Sequence, residues 1–267
     1  MGPSLRPDQI DAWLARIGID RPAQPDAAFL DQIQKRHLRS VPFESLDISP
    51  LGTPFTLALD DVFAKVVVRH RGGFCYELNS LLAAGLTALG YQVNMMAAHF
   101  TDNPADAVHP LDHMPLVVTA PIDDSRWLLD VAAGRQAPAR AVPIDGVTTD
   151  GVYRTHFADG LWHLNITDHA GGWLPQFAWL PDPFPLTAFA ERCAWFQTDP
   201  ESPFRRSPLC TIVTDHGRLT LSGWTLIETS NGERTERQLA DLLEISRVLR
   251  SRFGIAIPTD RWPQASE

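Results

Sequence analysis

Apolar positions recur with a helical period over the first 90 residues and with a strand period over much of the rest of the chain. Ile10, Trp13, Leu14 and Ile17 fall on one helical face, and Phe29, Leu30 and Ile33 on another, with Asp8 and Asp26 placed as N-caps and Gly18 as the stop of the first helix. A third helix is expected from about Asp60, burying Val62, Phe63, Val66 and Val67. A fourth is expected from about Cys75 to Leu89, closed by Gly90, with Leu78, Leu81, Leu82, Leu86 and Leu89 inward. From Tyr91 the pattern turns β-branched and alternating: YQVNMMAAHF, HMPLVVTA and RWLLDVA, each bounded by Pro, Asp or Gly. VYRTHF-ADG-LWHLNI reads as a hairpin, because ADG supplies a tight turn. A Pro-rich passage, WLPDPFP, leads into a helix carrying Leu186, Phe189, Cys193 and Phe196. Strands CTIVT, RLTLSG and WTLIET follow, then a helix from about Glu236 to Phe253 with Leu239, Leu242, Leu243 and Leu249 inward. The order of helices, strands and a mixed tail divides the chain into 1–90, 91–205 and 206–267.

With 267 residues, 44% of them hydrophobic, the chain can build a core without metal or disulfide staples. A net charge of −9 argues against nucleic acid and anionic membrane as partners, since both call for clustered cations, and favours a small molecule or a neutral protein. The three cysteines, Cys75, Cys193 and Cys210, are odd in number and form no C-x-x-C pair, which disfavours a disulfide framework or thiolate zinc and fits a reducing compartment. The chain begins without a signal-like segment and has no run of the roughly 18 apolar residues a bilayer span needs, so a cytoplasmic protein is expected.

The stretch RGGFCYELNSLL carries the first candidate chemistry. A thiol in the first turn of a helix meets backbone N–H groups and the positive end of the macrodipole, both of which favour its thiolate. Gly72 and Gly73 remove side chains where a ligand would approach. Such a thiol wants an imidazole for its proton, and the imidazole wants a carboxylate to fix its tautomer. His113 begins the apolar strand HMPLVV, and Asp130 is the single acid of RWLLDV, the strand after it. An antiparallel connection through PIDDS brings both to one end of the ladder, facing directly if the turn is centred between Pro121 and Ile122. Asp130 would be costly to bury alone, and His113 is its economical partner, with Arg71 the alternative. Taken singly, Cys75 fits a packed side chain as well as a nucleophile. His109 and His113 have the spacing of half a zinc site, but Pro110 and Pro115 deny them the helix it needs, so no metal is expected. No nucleotide-binding glycine motif accompanies Gly72 and Gly73.

VPFESLDI at 41–48, RGGFCYELNSLL at 71–82, HMPLVV, LLDVAAG at 128–134 and FQTDPESPF at 196–204 together resemble the arylamine N-acetyltransferase family along essentially the whole chain. The resemblance implies an α+β fold with an N-terminal helical bundle, a central β-barrel and a C-terminal α/β lid, and a cysteine triad of papain-like geometry. It implies Cys75 as nucleophile, His113 as imidazole and Asp130 as orienting carboxylate. Glu44 and Arg71 would brace the cysteine loop, and Phe43 and Phe204 would wall the acceptor pocket. It further implies acetyl-CoA as co-substrate, an arylamine or hydrazine acceptor, ping-pong acyl transfer and a place in xenobiotic metabolism; a homodimer is compatible with the chain. Two departures stand out: Ser45 where the family usually has Asn, and DVAAG where it usually has D-V-G-F-G, so that Ala133 replaces an aromatic wall and admits a bulkier substrate. Two alternatives remain: a macrolactam-forming amide synthase fed by a carrier protein, and a thiol hydrolase of the transglutaminase or papain type.

Overall fold

The computed structural model describes residues 4–101, 109–168 and 170–264. Its helical part holds α1 (Pro7–Ile17), α2 (Ala27–Ser40), α3 (Leu59–Phe63) and α4 (Cys75–Ala88), with the short strand β1 (Phe43–Glu44) after α2. Asp26 caps α2, accepting the Phe29 N–H at 2.8 Å, and Gly18 ends α1 in the left-handed conformation, φ 74°. Asp8 is not the cap of α1. Arg6 holds that position because Pro7, with its preset φ, opens the helix and draws Asp8 into the first turn. The third expected helix is short and continues as one wider turn over Ala64–Val68. Buried on almost every side, polar residues Glu77, Asn79 and Ser80 included, α4 is the spine against which the other parts pack.

The barrel part contains β2 (Gln92–Phe100), β3 (Leu116–Thr119), β4 (Arg126–Leu129), β5 (Val142–Pro143), β6 (Tyr153–Ala158), β7 (Leu161–Thr167) and β8 (Trp173–Pro183). They form one antiparallel sheet in the order β5-β4-β3-β2-β8-β7-β6. Its two edges nearly meet: the Thr155 side chain bonds the Pro143 carbonyl at 2.7 Å, and its N–H bonds the Gly146 carbonyl at 3.0 Å. The hairpin expected around ADG is β6–β7. The passage WLPDP is the end of β8, and two residues later the chain enters, as expected, the helical turn Leu186–Phe189 and the helix Ala190–Thr198. Pro175 and Pro183 pair where the register with β7 and β2 shifts, the places where a strand tolerates a missing N–H.

After α5 (Ala190–Thr198) and α6 (Pro203–Arg206), strands β9 (Leu209–Thr214), β10 (Gly217–Ser222), β11 (Thr225–Ser230) and β12 (Glu233–Gln238) form a second antiparallel sheet, with β1 as its other edge, in the order β1-β9-β10-β11-β12. The last helix, α7 (Leu242–Arg252), starts later than expected. Glu236 lies in β12, an edge strand exposed along its whole length, and Asp241 caps the helix. Leu249 is buried as expected and Leu239 is buried ahead of the helix, whereas Leu243 is 67% exposed and Leu242 37%. One core joins the helical part to the barrel; a smaller one lies between α7 and the apolar face of the second sheet, where Leu219, Leu221 and Leu226 meet Ile245 and Leu249.

Candidate active site

Cys75 is the first residue of α4. The glycines before it serve a packing purpose rather than a ligand. A Cβ on Gly72 would stand 2.1 Å from the Pro42 carbonyl oxygen, so glycine is what lets the 71–73 strand segment lie against β1, where Glu44 N–H bonds the Gly73 carbonyl at 2.9 Å. The expectation that they clear room for a ligand is therefore corrected.

Beneath that turn runs a chain of buried charges. Arg71 bonds Glu44 at 2.8 Å and Asp47 at 2.9 Å; Lys65 bonds Asp47 at 2.7 Å and Glu77 at 2.8 Å. Glu77 reaches back to the Phe74 N–H at 2.9 Å and closes the first turn of α4. Burial works against charge in all of them, yet the carboxylates hold Lys65 and Arg71 above their usual range, and those two cations hold Asp47 below its own. For Glu77 burial wins and its carboxyl is pushed up. The expected Glu44–Arg71 pair is thus one end of a relay that reaches the nucleophile turn through Asp47, Lys65 and Glu77.

His113 and Asp130 meet as expected, and the register, which the sequence left open, is not the face-to-face one. Leu116 pairs with Leu129, which centres the turn between Ile122 and Asp123, so the two residues lie diagonally across the ladder rather than face to face. His113 bridges to Ala98 of β2 below the start of β3, and its Nε2 stands 2.5 Å from Asp130 Oδ2. Both side chains are buried, and Phe100 and Phe177 flank the imidazole with ring centroids 5.0 and 5.5 Å away. Asp130 is held by groups that sequence reasoning passed over. Asn79, one helical turn after Cys75, donates to Asp130 Oδ1 at 3.0 Å and accepts the Val131 N–H at 3.1 Å. Gln34 of α2 brackets the Asp130 backbone, donating to its carbonyl at 2.6 Å and accepting its N–H at 3.1 Å. The signal for Asn79 was its i+4 spacing from Cys75; Gln34 had none. Because the Asp130 carboxylate can only accept, the proton between them sits on His113 Nε2, which leaves Nδ1 as a lone pair; Nδ1 has no hydrogen-bond partner. His109 is engaged elsewhere, its Nδ1 taking the Leu111 N–H, and does not join His113 in a ligand set.

A cavity of about 600 Å³ opens over these groups, lined by Cys75, His113, Phe43, Phe204 and Ala133 among others. Phe43 and Phe204 stand 5.9 Å apart, centroid to centroid, in one aromatic cluster with Phe74 and Phe196. Burial pushes the Cys75 thiol well up, with Cys193 and Asp130 adding to the shift and the Tyr76 N–H opposing it. Burial thus opposes the thiolate that the helix start and a neighbouring imidazolium would favour. Cys193 and Cys210 are buried, and neither lines the cavity.

A family profile described as N-acetyltransferase matches residues 26–262. Among curated proteins, an arylamine N-acetyltransferase of Mycolicibacterium smegmatis is 32% identical over 92% of this chain and 91% of its own. Among solved structures, the M. smegmatis arylamine N-acetyl transferase superposes with a TM-score of 0.83 at 32% identity over 92% of each chain. The Mycobacterium marinum arylamine N-acetyltransferase in complex with CoA does so with 0.84 at 26% identity, over 95% of this chain and 96% of that one. With a profile match from 26 to 262 and 32% identity to a relative over 92% of this sequence, the chain belongs to the arylamine N-acetyltransferase family.

Proposed function

We propose that the protein transfers an acetyl or larger acyl group from acyl-CoA to the nitrogen of an arylamine or hydrazine through a thioester on Cys75. The observation that carries the reading is the unpartnered His113 Nδ1, fixed as a base by Asp130, on a residue that lines the same cavity as Cys75. Cys75 gives its proton to Nδ1, and the sulfur attacks the acyl carbonyl as a thiolate beside the imidazolium. Backbone N–H groups at the start of α4 face the developing oxyanion. The C–S bond to CoA breaks, and His113 returns the proton to the departing CoA sulfur. In the second half the amine attacks the acyl-enzyme, His113 takes a proton from its nitrogen, and Cys75 leaves as thiolate to be reprotonated by the ring. Aromatic amines suit this step because their weak basicity leaves them unprotonated at neutral pH.

Phe43 and Phe204 serve as walls for the acceptor ring, and Ala133 leaves room beyond them. That room supports acyl groups or acceptors larger than acetyl and aniline, the point at which the amide-synthase reading touches this site. Action on foreign amines in the cytoplasm accords with the reading. Intact-mass measurement after exposure to acetyl-CoA is expected to show one acetyl adduct, absent in Cys75→Ala and discharged onto an added arylamine. Discharge to free acetate at the same rate with and without amine would establish a hydrolase instead.

A further inference from the structure

The second sheet turns an unusual face to the cavity. Its other face is apolar and packs on α7, so alternation sends the polar residues of β9–β11 toward the active site. Two cross-strand rows result. Phe43, Thr211, Thr220 and Ile227 make the first; Val213, Arg218, Thr229 and Arg234 make the second. Arg234 sits at the exposed outer end and is paired with Glu236. Arg192, also on the cavity, is paired with Asp112 at 2.6 Å and lies against Trp195. Arg218 is different. Among the described residues no carboxylate pairs with it, and of its five donors one makes a hydrogen bond, at 3.4 Å to Thr211 Oγ1. Arg16, which likewise lacks a carboxylate, instead spends its guanidinium on three carbonyls, those of Val66, Ser40 and Arg71, at 3.0, 2.6 and 3.3 Å. Burial weakens the Arg218 charge, and it is the Tyr153 hydroxyl, not a carboxylate, that opposes this. A half-buried guanidinium without a counter-ion costs free energy that the fold itself does not recover.

We propose that Arg218, with the Thr211, Thr220 and Thr229 hydroxyls beside it, is a subsite for an oxyanionic group of the substrate, a carboxylate or a phosphate. The planar fork of arginine matches two oxygens at once, and the Thr229 hydroxyl can donate to a third, while Thr211 donates to the Leu219 carbonyl and is bonded to the Thr220 hydroxyl. The subsite rests on the acyl-transfer reading for its place beside Cys75. The anion has two sources in that chemistry: a carboxylate on the amine acceptor or acyl group, or the phosphates of the donor.

Calorimetric titration separates the sources and does not depend on turnover. The purified protein is titrated with 4-aminobenzoate and its neutral isostere 4-aminobenzamide, and with CoA and phosphate-free pantetheine. In the wild type at least one anionic member is expected to bind about tenfold or more tighter than its neutral partner, the range of a charge-assisted contact. Arg218→Met is expected to bring that ratio close to one, and Arg218→Lys to keep part of it. Loss of preference in the aminobenzoate pair assigns the subsite to a carboxylate; loss in the CoA pair assigns it to phosphate. A preference that survives Arg218→Met in both pairs, or no preference in the wild type, overturns the proposal. Since the readout is a ratio within one protein, a general loosening of the fold would lower both affinities and leave it in place. Absence of any acetyl adduct on Cys75, measured separately, would count against the acyl-transfer reading and not against the subsite.

Discussion

The two walls of the cavity treat polar groups in opposite ways. On the α4 side almost every buried charge is consumed internally: three carboxylates share Arg71 and Lys65, Asp130 is bonded by His113, Asn79 and a backbone N–H, and one functional atom, His113 Nδ1, is left over. On the β9–β11 side little is consumed, and Arg218 faces the cavity with a single long bond to Thr211. The first wall is preorganised around a proton transfer, where geometry must be held within tenths of an ångström. The second is a surface waiting for something to complete it. The leftover group on each wall shows what it handles: a proton on one, an anion on the other.

The largest effect expected from breaking the first wall comes at Asp130. Asp130→Asn removes the acceptor that pins the proton on Nε2, so the ring can present N–H rather than a lone pair to Cys75. A loss of roughly 10³–10⁴-fold in acyl transfer is expected, as for other triads with the wrong tautomer. Circular dichroism should remain native, because Gln34 still holds the backbone there; an active variant would show that the Nε2 contact has no role.

Next comes Lys65. Removing its ammonium by Lys65→Met leaves Glu77 and Asp47 facing each other in a buried space, a change expected to cost about 3–5 kcal/mol by denaturant titration. Lys65→Arg should recover part of it. An unchanged midpoint for Lys65→Met would mean that the relay under α4 is not a stabilising unit.

Labelling probes the thiol itself. Cys75 lines the cavity, whereas Cys193 and Cys210 do not, so iodoacetamide should modify Cys75 first at neutral pH. Burial raises this thiol, so its reactivity at neutral pH depends on a group that takes its proton, the role proposed for His113. In His113→Ala the Cys75 rate should fall toward that of the other two and recover only as pH rises above the usual thiol range. Equal rates in the wild type would remove the case for an activated sulfur.

Much of the first wall was legible in the sequence and almost none of the second. Cys75 is marked by a helix start, and His113 and Asp130 by single polar residues at the ends of apolar strands; these are local signals. Their register was not local, and it settled two residues away from the face-to-face arrangement without breaking the contact. Lys65, Asp47 and Gln34 carry no pattern of their own, because their partners lie 12 to 104 residues away in sequence. The strand β12 was missed because ERTERQ, exposed on both faces, has no alternation to read, and the charge that makes it a safe edge hides it as a strand. Arg218 could not be distinguished from a solvent-facing arginine until the opposite face of its sheet was seen to pack on α7.

The smallest expected effect tests the comparison most directly. If Arg218 is held for a ligand rather than for the fold, Arg218→Met should be close to neutral in stability. The methionine keeps the apolar stem packed and removes a charge that burial disfavours. A change within about 0.5 kcal/mol is expected, roughly 1–2 °C in melting temperature for a chain of this size. Lys65→Met, which removes one positive charge from the opposite wall, should shift the melting temperature several times as far, although both substitutions delete a cation and insert the same side chain. The difference would arise from the partners alone: Lys65 has two carboxylates within 3 Å and Arg218 has none among the described residues. A destabilisation by Arg218→Met as large as that of Lys65→Met would show that the second wall, too, holds its charge for structure.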